Sequence, residues 1–208
     1  DVKVLVHEVG HAFQKWCSRP LPWIDQLRCS AEAAEVHSMG LEFLSWPALD
    51  AFFGDEVDRF RRQHLIRALT FLPYGVAVDH FQHRVFENPS ASPAERHAIW
   101  QEMEATYLPW RSYGDLPHAS EGGFWQSQRH IYVYPFYYVD YALAQTCALQ
   151  LWQRSLADHG AMAEYVALCG RGATEPFQAM VRSAGLRSPF DDGALGDVVD
   201  AAASWLAV

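Results

Sequence analysis

Val6-His7-Glu8-Val9-Gly10-His11-Ala12 is the stretch on which the reading of this chain turns. Val2, Leu5, Val6 and Val9 recur around it at helical spacing, which predicts a helix from about Val2 to Cys17 with Asp1 as its N-cap. On such a helix His7 and His11 stand one above the other on one face. Two imidazoles so placed can reach a single metal ion. Zn²⁺ fits best, because it accepts His nitrogens at about 2.0–2.1 Å in a tetrahedral site. Glu8 projects beside them and is not needed as a ligand, so its expected role is general base toward a metal-bound water. The competing reading is a solvated helical face that spells His-Glu-x-x-His by chance.

A third ligand is sought downstream. Arg19-Pro20-Leu21-Pro22 cannot continue the first helix, and a loop to Cys29 follows. Ser30 is a plausible N-cap for a second helix running from Ala31 to Leu44, before Pro47. On it Glu35, Ser38, Met39 and Glu42 fall three, four and seven apart and share a face. Two carboxylates with Ser and Met suit neither an ordinary core nor an ordinary solvated face. They suit a metal site in which Glu35 coordinates and Glu42 orients a ligand from behind. His37 points away from Glu35 and reads as structural.

Bulk composition narrows the function classes. The 208 residues suffice for one domain with a proper core, and half of them are hydrophobic. Lys and Arg total 16 against 25 Asp and Glu, a net charge of −9, which argues against a nucleic-acid binder. No run of 18 apolar residues and no signal-peptide pattern occurs, so no membrane association is expected. The four cysteines show no Cys-x-x-Cys spacing and read as reduced thiols of a cytoplasmic protein.

The remainder reads as helix throughout, so an all-α fold is expected. Phe52, Val57, Phe60, His64, Leu65, Leu69 and Leu72 recur at helical spacing up to Pro73, with a further helix from about Tyr74 to Phe86. His80 and His83 on that helix have no third ligand nearby and read as core or surface residues. Ser92-Pro93-Ala94-Glu95 opens a helix to about Tyr107, and residues 110–123 read as loop. Near the end, Leu195, Val198, Val199, Ala202, Trp205 and Leu206 predict one docked apolar stripe.

A second informative stretch runs from His130 through Tyr134-Pro135-Phe136-Tyr137-Tyr138-Val139-Asp140-Tyr141. Pro135 separates a short element from a long helix expected over about Phe136–Asp158. Tyr134, Tyr137, Tyr138 and Tyr141 are spaced to share a face. Such a stripe is ordinarily core or interface, with the hydroxyls at its edge. Near a zinc site a phenol or imidazole can instead donate to the oxyanion that forms when water attacks a carbonyl.

These blocks carry a resemblance. The chain resembles the thimet oligopeptidase and oligoendopeptidase F class of zinc metallopeptidases, and within it the Pz-peptidase type. The matching pieces are His7 to Gln14, Glu35 to Phe43, His130 to Tyr141, and Ser188-Pro189-Phe190. The resemblance implies the C-terminal part of a helical zincin-type catalytic bundle spanning 1–208. It implies one Zn²⁺ per chain held by His7, His11 and Glu35, with Glu8 as base. It further implies that His130 and Tyr138 or Tyr141, Tyr141 first, stabilise the transition state, with Tyr137 and Glu42 supporting. The expected partners are short peptides and an N-terminal part of the same protein that packs on this chain, since relatives carry several hundred residues ahead of the zinc helix.

Three other readings stay open. A non-catalytic zinc- or peptide-binding fragment would hold metal without cutting. A metal-free helical interaction domain requires all the blocks to be coincidental. A carboxypeptidase would fail on an end-blocked peptide that an endopeptidase cleaves.

Overall fold

The computed structural model describes residues 2–157 and 160–208, and the expected N-cap at Asp1 and helix end at Asp158 lie outside them. Every regular element among the described residues is helical, so the fold is all-α. The chain divides into two compact units, one of Asp1–Ala68 with Leu143–Val208 and the other of Leu69–Ala142. None of the described helices is long and apolar enough to cross a membrane.

In the first unit, α1 (Val2–Ser18) ends where the prolines begin and packs against α2 (Ala31–Leu44). The side of α1 that is buried is not the predicted apolar stripe. It is Gly10, Gln14 and Ser18, while Val4, Leu5 and Val9 stay exposed. Small residues let the two backbones approach, so proximity and not apolar bulk selects that face. Helix α2 is covered nearly all round, with Ala33, Val36, Phe43 and Leu44 buried together with Glu35 and Glu42. Carboxylates so enclosed need partners, because an unpaired charge inside a protein is costly. Ser30 occupies the N-cap position of α2, but its side chain makes no capping hydrogen bond.

A short helix α3 (Asp50–Phe53) stops at Gly54, whose φ of +49° lies in the left-handed region. Next, α4 (Val57–Glu87) runs as one helix through Pro73, correcting the expected break there. Proline inside a helix costs about 3 kcal/mol. That cost is offset because Leu65, Ala68 and Leu72 before it, and Ala77 and Val78 after it, are all buried. Pro20 and Pro22 are exposed, and there the helix does stop. The first unit is completed by most of α7 (described below), α8 (Ala161–Arg171), which lies on α1, α9 (Phe177–Ser183) and α10 (Ala194–Leu206). On α10 the buried line is Ala194, Val198, Ala202 and Leu206, while Leu195 and Val199 are largely exposed, so the predicted stripe is narrower and turned.

In the second unit, α5 (Pro93–Tyr107) starts with a full capping box. The Ser92 side chain accepts from the Glu95 backbone N–H and the Glu95 carboxylate accepts from the Ser92 N–H. Phe81, Trp100, Met103, Leu108 and Trp125 form the core. The stretch expected as loop closes with helical turns at Ala119–Gly123 and Phe124–Ser127. After α6 (Arg129–Val133) the chain turns, and α7 (Tyr138–Ala157) begins two residues later than expected. The turn holds Phe136 at φ +64°, where its backbone N–H donates to Gln82 Oε1 at 2.8 Å. Tyr134 and Tyr137 therefore precede α7, and Tyr137 packs on Tyr141 from the turn at a centroid distance of 5.0 Å.

Candidate metal centre and active site

Helix α1 presents His7 and His11 to Glu35 of α2. One ligand atom from each lies within 4.8 Å of the others, and this is the one such His/Cys/Asp/Glu group among the described residues. His7 Nε2 is 3.3 Å and His11 Nε2 3.7 Å from Glu35 Oε2. Ligands at about 2.0–2.1 Å from a tetrahedral centre stand roughly 3.3–3.4 Å apart. The two sides that meet at Glu35 are thus at or slightly above the spacing of ligands around Zn²⁺, and two imidazoles with one carboxylate are a donor set suited to that ion. Ser38 Oγ donates to Glu35 Oε2 at 3.0 Å and aims the carboxylate.

The approach of the helices rests on Gly10, one of the two variable positions of the motif. A Cβ there would stand 2.6 Å from Ser38 Cα and 3.0 Å from the His37 carbonyl oxygen. That carbonyl accepts from Tyr165 Oη at 2.7 Å. The His37 ring points the other way, fully buried between Cys169 Sγ at 3.5 Å and Cys29 Sγ at 3.9 Å. Burial, and then the nearby His11, depress its pKa to about 4.

Glu42 stands behind His7. His7 Nδ1 donates to its Oε1 at 2.7 Å, His64 Nε2 to its Oε2 at 2.9 Å, and Lys3 Nζ lies 3.2 Å away. Burial works to raise the Glu42 pKa, but the hydrogen bonds from His64 and His7 and the Lys3 charge outweigh it and hold it near about 2. Burial likewise opposes charging of His7, yet its bonds to Glu35 and Glu42 raise it to about 9. For His11 burial prevails, aided by His7, and its pKa is lowered. The metal-free cluster therefore carries a proton on His7 that an incoming cation must displace. Glu8 is exposed on the same helix.

The second cluster belongs to the second unit. The His130 ring centroid is 6.1 Å from Tyr137, 5.3 Å from Tyr138 and 5.7 Å from Tyr141, and Tyr138 and Tyr141 are 5.6 Å apart. Burial pushes the Tyr138 phenol up to about 12, which keeps it a proton donor. Tyr74 Oη donates to Gln128 Oε1 at 2.8 Å, and Gln128 Nε2 faces His130 Nδ1 at 2.9 Å. That order makes Nδ1 the acceptor and leaves the ring hydrogen on Nε2. Among the other histidines, His83 pairs with Asp79 at 3.5 Å and His80 with Tyr107 Oη at 3.0 Å.

Sequence reading did not single out Gly10, His64, Trp46, Gln128 or Tyr74. Gly10 carried a signal, a glycine in a helix interior beside two expected ligands. His64 carried none, since it sat within an apolar stripe and its partner is 22 residues away.

Comparison with known proteins shows the family of the chain. The model of peptidase family M3 matches residues 1–198. A crystal structure described as an oligoendopeptidase F is 51% identical, with a TM-score of 0.96, over 100% of this chain and 37% of its own. The structure of PZ peptidase A with inhibitor 2 is 47% identical, with a TM-score of 0.96 and the same shares of 100% and 37%. A further crystal structure described as an oligoendopeptidase F, from Bacillus anthracis str. Ames, is 41% identical, with a TM-score of 0.85, over 100% of this chain and 34% of its own. The chain thus spans about a third of the length of these structures. No curated protein matches it. With the family model covering nearly all of it, the chain belongs to peptidase family M3, a family of metallopeptidases.

Proposed function

We propose that this chain is the C-terminal part of the catalytic domain of a zinc-dependent endopeptidase that cleaves short oligopeptides. The observation that carries the reading is the convergence of His7, His11 and Glu35 within 4.8 Å on two helices held together at Gly10. These three residues would hold the ion. When bound, it supplies Lewis-acid polarisation of the scissile carbonyl and a lowered pKa for water. Glu8 takes the proton from the attacking water and hands it to the leaving amine. Glu42 fixes the His7 ring, and Ser38 fixes Glu35. Following the resemblance, His130 donates through Nε2, and Tyr141 or Tyr138 through its phenol, to the oxygen on which charge develops. Tyr137 stacks on His130 and orders it. Exposed Val4, Leu5, Val9 and Trp16 support packing of the rest of the protein on α1.

The test is made on the full-length parent with an end-blocked quenched peptide and elemental analysis. About one zinc per chain and internal cleavage are expected, with the metal lost in His11→Ala and Glu35→Ala. A folded, zinc-supplemented protein without metal would overturn the reading. Because the chain spans about a third of its relatives' length, a second reading has support, a metal-binding piece that turns over nothing by itself. Zinc uptake without cleavage by residues 1–208 alone would identify it.

A further inference from the structure

We propose that His64 and Trp46 are positioning residues for the metal centre, acting on His7 through Glu42. The inference rests on the reading of His7 as a ligand and extends it two residues further from the ion. Trp46 Nε1 donates to His64 Nδ1 at 2.9 Å. An indole N–H can only donate, so His64 Nδ1 must accept and the ring hydrogen sits on Nε2. That hydrogen is given to Glu42 Oε2 at 2.9 Å. The other carboxylate oxygen, Oε1, accepts from His7 Nδ1 at 2.7 Å. With Nδ1 committed as a donor, His7 turns Nε2 toward Glu35, the side on which the ion would be held.

The donors and acceptors of these three hydrogen bonds are thus fixed: the Glu42 carboxylate accepts from both imidazoles, and Trp46, which can only donate, holds the tautomer of His64 at the far end. The arrangement is also held rigidly. Trp46, His64 and Glu42 are 6%, 4% and 4% exposed. The His64 ring stacks on Phe43 at a centroid distance of 4.4 Å and an interplanar angle of 16°. Were His64 present only to neutralise a buried carboxylate, Lys3 at 3.2 Å and His7 would already serve, and no tautomer-fixing indole would be required. What His64 adds is orientation. It takes the second oxygen, so the carboxylate plane cannot swing away from His7. Groups that orient a metal-ligating histidine typically contribute 10–100-fold to metal affinity.

The experiment measures the zinc dissociation constant of the full-length protein against a competing chelator at fixed pH, with melting curves recorded alongside. Three variants are used. His64→Leu removes both hydrogen bonds and should weaken zinc binding at least tenfold. His64→Gln offers an amide oxygen to Trp46 and an amide N–H to Glu42, and should restore most of the affinity. Trp46→Phe keeps an aromatic ring and deletes only the N–H, and should weaken binding severalfold. In the zinc-loaded protein, long-range ¹H–¹⁵N spectra of His7 should show metal on Nε2 and hydrogen on Nδ1, and Trp46→Phe should broaden or split that pattern. Wild-type affinity and an unchanged His7 spectrum in Trp46→Phe would overturn the proposal, even if His64→Leu fails to fold. So would a His64→Gln protein no better than His64→Leu. Failure of the wild type to bind zinc would instead refute the metal-site reading on which this one rests.

Discussion

Gly10→Ala adds one methyl group at the crossing of α1 and α2, where the two backbones are too close to hold it. The new Cβ would lie 2.6 Å from Ser38 Cα and 3.2 Å from Ser38 N, both backbone atoms that no rotamer change can move. Carbon atoms rest about 3.5–4.0 Å apart, so the helices must part locally by roughly 1 Å. Overpacking of this kind costs about 1–3 kcal/mol. Replacing a helical glycine by alanine returns about 1 kcal/mol. The net loss of stability is therefore small, about 0–2 kcal/mol. The larger effect falls on the metal centre. His7 and His11 ride on α1 and Glu35 on α2, so parting the helices would lengthen the present separations of 3.3 and 3.7 Å between the candidate ligand atoms and carry both beyond the tetrahedral spacing. We expect zinc affinity to fall at least tenfold while the melting temperature of the chelated protein changes by only a few degrees. Gly40→Ala is the control. Its Cβ would meet Leu151 Cδ1 at 2.8 Å, the movable end of a side chain, and zinc binding should be kept. Chelator competition and thermal melts with and without zinc read both quantities. A Gly10→Ala protein that binds zinc within twofold of wild type would refute the claim that this crossing sets the ligand spacing.

Glu8→Gln in the full-length parent should retain about one zinc and lose about 10²–10⁴-fold in turnover, as expected for a general base and not a ligand; loss of zinc would show that the roles are misassigned. Tyr→Phe at 141, at 138 or at both should lower turnover at least tenfold with little change in melting temperature; full turnover in all of them would make the tyrosines core residues. His37 is buried neutral with its pKa depressed to about 4, so its contribution to stability is complete above about 6.5 and is lost as pH falls toward 4, at up to about 1.4 kcal/mol per pH unit. Urea titrations at several pH values in chelator should show wild type losing stability more steeply on acidification than His37→Gln, and equal slopes would refute that assignment.

Local periodicity was enough to bring the candidate ligands onto shared helical faces. His7 and His11 four apart, and Glu35, Ser38 and Glu42 three and seven apart, fix which side chains share a face whatever surrounds the helix. The Ser92-Pro93 start and the Pro20-Pro22 stop were legible for the same reason, since caps and missing N–H groups act within one turn. Which face another helix covers is not a local property. Exposed Val4, Leu5 and Val9 and buried Gly10 and Gln14 on α1 reversed the apolar stripe, because the crossing with α2 selects small residues. Burial on both sides carried α4 through Pro73. A turn pinned by Gln82, 54 residues earlier, set Phe136 and left Tyr134 and Tyr137 ahead of α7. The bonds from Trp46 through His64 to Glu42 were likewise invisible in sequence, since a buried carboxylate's demand for donors can be met from any part of the chain that folding brings within about 3 Å. Spacing in sequence determined which candidate donors share a helical face, and only the tertiary contacts decided how closely they converge and which atoms they turn inward.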